Sequence, residues 1–323
     1  MLHILNGDSA RMGLERSGIP GDFVVWPDVL YEGRTPLATG EEWIATRAGE
    51  LAGVAGRATG EIAERYRRND AALESFRHHD EVIFWLEHDL FDQLLLVRHL
   101  WWLKERGIRG AGGAGGARGA GSAGGPAGAV RFSLVCRNVY LGPLTPDQFP
   151  PLFAERQPIT GAQIERGSRV WRAFCGEDPT RLLPFATSIA PELPFLAAAL
   201  RRFLEDYPSS ANGLTRTEQQ ILRVLSDRPL TKHEAFRASM DLEEAIYLGD
   251  LSFFNILEAL ASAPHPLLIG DGKIRLTDTG RDVLAAHADH VALNGIDRWL
   301  GGVHLTPERH WRWTGSSLLP ATA

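Results

Sequence analysis

VIFWLEHDLFDQLLLVRHLWWL, residues 82–103, changes character once along its length. Val82–Leu86 is β-branched and aromatic, the composition of a buried strand. Leu90–Arg106 carries apolar residues nearly all round a helical projection, which predicts a well-buried helix. Between the two stand Glu87, His88 and Asp89. A strand that runs straight into a helix through three ionisable residues suits an α/β fold with a polar rim.

The flanking sequence repeats the pattern. Leu2–Leu5 predicts a first strand ending at Asn6, Gly7, Asp8 and Ser9, and Phe23–Trp26 a second ending at Pro27 and Asp28, with Glu32, Gly33 and Arg34 just beyond. Glu41 to about Arg68 has helical composition, weakened at Gly53, Gly56 and Gly60. Val130–Val135 resumes as a fourth strand, followed by Cys136, Arg137 and Asn138. Alternating strands and helices predict a Rossmann-like, mostly parallel sheet over residues 1–145, with right-handed crossovers. Residues 110–129 are a low-complexity Gly/Ala tract, expected to be a disordered surface insertion.

From Leu144 the chain turns helical. Thr145-Pro146-Asp147 is a helix start, Thr160–Cys175 and Leu193–Asp206 read as further helices, and prolines punctuate the stretch. Residues 146–210 are therefore expected to form a helical connector. A break at Asn212-Gly213 precedes the capping box Thr215-x-x-Glu218. Helices around Lys232–Ser239 and Glu243–Ala261 follow, then a hairpin turning at Asp271-Gly272. This order predicts a winged-helix-like domain over 211–323, with Trp299, Trp311 and Trp313 of the tail packed on it.

The chain has 323 residues and a formal net charge of −6, so an overall basic footprint for nucleic acid is absent. The N-terminus lacks a cationic stretch followed by an apolar run, and no segment approaches the roughly 18 uninterrupted apolar residues of a membrane span. Two cysteines, Cys136 and Cys175, suggest neither a disulfide framework nor a thiolate metal site. A cytoplasmic protein is expected.

In open parallel sheets, ligands bind outside the carboxyl ends of the strands. If the strands are parallel, the four polar clusters meet at one rim. Asp8, Ser9, Glu87, His88 and Asp89 are then the catalytic candidates. Asn6, Gly7, Asp28, Glu32, Gly33, Arg34, Asp92, Gln93 and Arg137 are the candidate ligand-binding residues. Several have structural readings too: Asp8-Ser9 and Asp89 as helix caps, Asp28 as a turn residue, His3 as a core histidine. A cap at Asp89 does not explain the adjacent His88. The carboxylates suit a hard divalent cation, Mg²⁺ or Mn²⁺, with Asp8, Glu87 and Asp89 as candidate ligands. Such an ion suits ester or phosphoester hydrolysis.

Alternatively, Ser9 is a nucleophile with His88 as base and a carboxylate as orienter. Gly7-Asp8-Ser9 resembles the opening block of the SGNH hydrolases, which implies a nucleophilic Ser9. Neither a Gly-x-Asn-Asp block nor an Asp-x-x-His near the domain end accompanies it, so the serine hydrolase is the minority reading. Outside the Gly/Ala tract no GxGxxG is present, and no GxxxxGK[ST] occurs anywhere, so standard dinucleotide and P-loop sites are unsupported. In the C-terminal region the expected recognition helix lacks Lys and Arg, and residues 215–290 carry eight Lys/Arg against twelve Asp/Glu. Phosphate contact needs cations, so DNA binding is disfavoured; Asn255, Lys273 and Arg275 are its best remaining candidates. The apolar positions Leu248, Leu251, Phe254 and Leu257 suggest packing instead, against the first domain or in a homodimer.

LHILNGDS, GDFVVWPDVLYEG, FWLEHDLFDQL, YLGPLTPDQ and NGLTRTEQQIL together resemble a bacterial family known as domain of unknown function family 1835, with its usual second C-terminal module. The resemblance covers nearly the whole chain except the Gly/Ala tract. It implies a Rossmann-like N-terminal domain, brings no established reaction, and points to the same polar motifs. The functional expectation is a hydrolase-like or phosphoryl-handling enzyme, metal-assisted, acting on a small molecule. The alternatives are a regulatory or DNA-associated protein whose pocket senses a small ligand, and a structural adaptor.

Overall fold

The computed structural model describes residues 1–112 and 130–321. The tract expected to be disordered falls mainly on 113–129, outside the described residues. On its near side Ala111 is tied down: its N–H donates to the Ile159 carbonyl (2.9 Å), and its carbonyl accepts from Gly161 N–H (3.2 Å).

The first half runs β1 (Leu2–Leu5), α1 (Asp8–Arg16), β2 (Asp22–Val25), β3 (Gly33–Arg34), α2 (Gly40–Ala55), α3 (Thr59–Glu74), β4 (Glu81–Leu86), α4 (Leu90–Glu105) and β5 (Arg131–Cys136). It continues through α5 (Phe149–Ala154), β6 (Gln157–Pro158), α6 (Gly161–Phe174), α7 (Leu183–Thr187) and α8 (Leu196–Leu204). The central sheet has the order β2-β1-β4-β5-β6. Its first four strands are parallel, and β6 closes the edge antiparallel to β5. The protein is thus a mixed α/β structure with a parallel-dominated sheet, as the strand–helix alternation predicts.

Side chains alternate across this sheet with a period of two. Ile4, Val82, Phe84 and Leu134 face the larger core with α2, α3 and α4. Leu5, Ile83, Trp85 and Val135 face a second apolar cluster with Ala10 and Leu14 of α1 and Phe149 of α5. α4 is buried almost throughout because it lies between the sheet and α6. Gly167 permits that approach, since a Cβ there would stand 2.5 Å from the Leu100 Cβ.

The single helix expected over 41–68 is two helices. α2 ends at Gly56, whose φ of +60° is the left-handed conformation that glycine adopts without strain. The segment expected as a connector contributes β6 to the sheet and α6 to the core, and one apolar cluster runs from Leu2 to Leu318.

The second half runs α9 (Arg216–Asp227), α10 (Lys232–Met240), α11 (Asp250–Ser262), β7 (Leu268–Ile269), β8 (Arg275–Leu276), α12 (Asp278–Leu284), α13 (His290–Asn294), β9 (Arg298–Gly301), β10 (Val303–Leu305), β11 (His310–Trp313) and β12 (Leu318–Ala321). The Thr215/Glu218 capping box forms, and β7–β8 turns through Asp271-Gly272. α11 starts at Asp250, not near Glu243. The residues before it are drawn away from helical geometry by a buried network: Arg202 holds the Glu243 carboxylate (2.8 Å), and Tyr247 Oη donates to Asp206 (3.2 Å). The tail does not pack only on its own region. β9 pairs in parallel with β3, and Trp299 stacks on His304 beneath the Arg34 guanidinium. Among the described residues, no helix is long and apolar enough to cross a membrane.

Candidate metal centre

β1 and β4 are neighbours, yet the chain leaves them toward opposite faces of the sheet, through α1 and α4. Where the winding reverses in this way, a crevice opens outside the carboxyl ends of the two strands. Asn6 follows β1 and Glu87 follows β4, so both stand at that crevice. The Asn6 Nδ2 donates to Asp92 Oδ2 at 2.7 Å and joins its two sides.

Local geometry gathers three carboxylates here. Asp89 is the N-cap of α4, and its Oδ1 accepts from the Asp92 N–H at 3.1 Å. That cap places Asp92, one turn on, over the same helix end. Glu87 is fixed from the other side: its Oε1 accepts from the Leu141 N–H at 2.7 Å, in the loop after β5. The Gln93 amide clamps the backbone between them, donating to the Glu87 carbonyl at 2.7 Å. Glu87, Asp89 and Asp92 are all buried, and one carboxylate oxygen from each lies within 4.8 Å of the other two.

Among the described residues, none of these carboxylates has a Lys or Arg ion-pair partner. Asp92 is 0% exposed, and its Oδ1 accepts no hydrogen bond. Burial, reinforced by the Glu87 charge, pushes the Asp89 carboxyl up to about 7, against the opposing pull of two backbone amides. Burial and the charges of Asp89 and Glu87 drive the Asp92 carboxyl well above its ordinary range. Such a group is stabilised by a shared proton or by a cation placed among its oxygens. The donor set is all oxygen, which suits Mg²⁺ or Mn²⁺.

His88 flanks the carboxylates. Its half-buried ring packs against Tyr140 (centroids 4.9 Å apart) and Phe195 (5.9 Å), and burial lowers its pKa against the opposing pull of the Glu87 charge, which favours the neutral imidazole.

Other residues expected at the rim are used elsewhere. Asp8 is not among the three carboxylates. It opens α1 with its side chain 76% exposed and pairs with Arg11 at 3.3 Å. Gly7, not Asp8 or Ser9, is the N-cap of α1. Ser9 is exposed beside Gly142 and makes no hydrogen bond to His88. Asp28 is fully buried and bound to Arg47 at 2.8 Å. Arg47 also donates to the carbonyls of Val29, Glu32 and Arg34, so it closes the loop after β2 from inside. Glu32 is half-buried, its carboxyl raised by burial, toward Ser252. Gly33 has φ +69°, and a Cβ there would meet Glu50 at 2.7 Å. Arg137 is exposed and paired with Glu155. The expected meeting of four strand ends is thus a meeting of two, β1 and β4, with the loop after β5 as a third wall.

Two partners escape sequence reading. The Leu141 contact is made by a backbone N–H and leaves no residue-type signal. Arg47 leaves one: a lone cation on the helical stripe of Ile44, Ala48 and Leu51. Compared with known proteins, the chain matches no family model and no curated protein.

Proposed function

We propose that this protein is a metal-assisted enzyme acting on phosphate esters, with Mg²⁺ or Mn²⁺ held by Glu87, Asp89 and Asp92. One observation carries the reading: three buried carboxylates converge at the β1/β4 crevice with no cationic side chain paired to them among the described residues, and one oxygen there has no partner. A divalent ion at that point supplies a Lewis acid for phosphoryl oxygen. Asn6 orients Asp92, and the Leu141 amide orients Glu87, the kind of outer support that tunes a metal site. His88, whose neutral form burial favours, is the neighbouring group able to take a proton from water and return it to a leaving alcohol.

Membership in family 1835 and a Rossmann-like assignment of the sheet belong to the same proposal and rest on the quoted motifs. So does the reading of α9–α11 with hairpin β7–β8 as a winged-helix-like module. The arrangement favours an enzyme over a DNA-associated regulator. α11, in the place of a recognition helix, has no Lys or Arg, and Asn255 on it donates to the Val54 carbonyl of α2 (3.3 Å).

Titration with Mn²⁺, followed by electron paramagnetic resonance, tests the site. Wild type should bind one ion, and Asp92→Asn should weaken binding by about 100-fold or more. Release of phosphate from an aryl ester should require Mn²⁺ or Mg²⁺. Absence of Mn²⁺ binding removes the metal. Binding without turnover of any phosphate ester removes the enzyme and leaves a sensor.

A further inference from the structure

A cleft of about 510 Å³ opens between α2–α3 and the start of α11. Its size falls within the range of small-molecule sites. Phe91 forms part of its wall and stands between Asp89 and Asp92 in the first turn of α4, so the cleft and the carboxylate group share that turn. The aromatic lining is already ordered: Tyr31 meets Phe91 edge-on at 6.4 Å and Tyr247 at 4.9 Å.

The opposite wall is cationic. Arg57, Arg65 and Arg68 of the α3 region line it, in a chain whose net charge is −6; Arg57 is paired with Glu61, and Arg68 with Glu64 at 3.8 Å. Two acids share the cleft, and both are engaged: Glu61 is bound by Arg57 at 2.9 Å, and Asp250 accepts from the Leu251 N–H at 2.8 Å. Arg65 is half-buried and has no ion-pair partner among the described residues. Gly249–Ser252, the N-terminal end of α11, completes the wall; Asp250 accepts from one of its amides, and the Glu32 carboxyl faces Ser252. A guanidinium favours phosphate, and aromatic faces favour a ring.

We propose that this cleft binds a ring-bearing organic phosphate, its ring against Tyr31 and Phe91 and its phosphate at Arg65. That this ligand is the substrate rests on the metal-assisted reading above; the binding itself does not.

The test uses the full chain in EDTA, titrated by calorimetry with phenyl phosphate and with adenosine monophosphate. Inorganic phosphate and phenol serve as controls. At least one ring-bearing phosphate should bind ten times more tightly than either control. Arg65→Ala should weaken it tenfold or more, and Val54→Trp, which fills the cleft, should abolish it. Binding of the nucleotide alone would identify a nucleobase as the ring; binding of both would make any aryl phosphate sufficient. Unchanged binding in Arg65→Ala and Val54→Trp, or binding no tighter than the controls, overturns the proposal. The urea midpoints of the same variants should stay close to that of wild type and report that they are folded, and their Mn²⁺ binding should be unchanged. If Mn²⁺ binds and the organic phosphates do not, the cleft fails and the metal stands. If the organic phosphates bind and Mn²⁺ does not, the metal fails and the cleft stands.

Discussion

The two ends of β4 carry buried carboxylates in opposite electrostatic conditions. At the start, Glu81 is 3% exposed and is met by Arg156, Arg131 and the Ser133 hydroxyl. Burial alone would raise its carboxyl, but those donors outweigh it and hold the group down to about 2. At the other end Glu87, Asp89 and Asp92 share a crevice with one side-chain amide and a few backbone N–H groups. There burial is not outweighed, and Asp89 rises to about 7. A compensated carboxylate contributes stability. An uncompensated cluster in a crevice costs stability and marks the place where a ligand completes the structure.

The largest effect should come where the compensating cation is itself fully buried. Asp28 and Arg47 are each 0% exposed, so Asp28→Asn leaves a guanidinium in the core without its counter-ion. Urea unfolding should show a loss of about 3–5 kcal/mol. Mn²⁺ affinity should stay within about twofold of wild type, because Asp28 belongs to the compensated class. A parallel loss of Mn²⁺ affinity would join the two classes and break the comparison.

Asp92→Asn should behave in the opposite way. A carboxyl that holds its proton more tightly folded than unfolded makes the fold less stable as pH rises through that interval. For Asp89 the interval runs from 3.8 to about 7, and the cost is full above it. Replacing its neighbour Asp92 by a neutral amide should therefore raise metal-free stability at pH 8 by about 1 kcal/mol, and by less at pH 5. Mn²⁺ at about 100 times its dissociation constant should stabilise wild type by about 2.7 kcal/mol and the variant by about 0.4 kcal/mol or less. Urea midpoints at the two pH values, with and without Mn²⁺, read both signs.

The contrast was only half legible in the sequence. Glu87, His88 and Asp89 stand out because ionisable residues follow a run of buried aromatics, and the cap at Asp89 is a local rule. Asp92 was visible as a polar residue in an apolar helix, but its meeting with Asn6 depends on β1 and β4 being adjacent, which strand order alone decides. Asp8 looked equivalent to Asp89, since each follows a strand and opens a helix. Glycine at the N-cap of α1 moves Asp8 into the first turn, where it faces solvent, whereas Asp89 is itself the cap. The partners that neutralise Asp28 and Glu81 lie 19 and 75 residues away, beyond any pattern a local window contains.

Glu81→Gln should have a smaller effect than Asp28→Asn, because Arg131 is 69% exposed and Arg156 remains partly solvated. A loss of about 1–3 kcal/mol at pH 7 is expected. A carboxyl depressed from 4.5 to about 2 contributes its full stability above pH 4.5 and loses it as pH falls toward 2. Wild type should therefore weaken across that window more steeply than Glu81→Gln. Coincident acid-unfolding curves would mean that the Glu81 ion pairs contribute nothing.

The smallest effect should come from Ser9→Ala. Ser9 lies on the same rim, one turn from Asn6, so a purely positional argument would give it a large one. Its hydroxyl makes no hydrogen bond to His88, and a serine nucleophile needs a base within about 2.6–3.2 Å to carry its proton. Metal-dependent turnover should fall by less than about threefold, because the proposed route, with water as nucleophile and His88 as its base, would ask nothing of that oxygen. A loss of about 10³-fold with Mn²⁺ affinity intact would instead make Ser9 the nucleophile. The carboxylate cluster would then keep its cation but lose its role as the reacting centre, and the asymmetry of β4 would mark a binding site next to the chemistry.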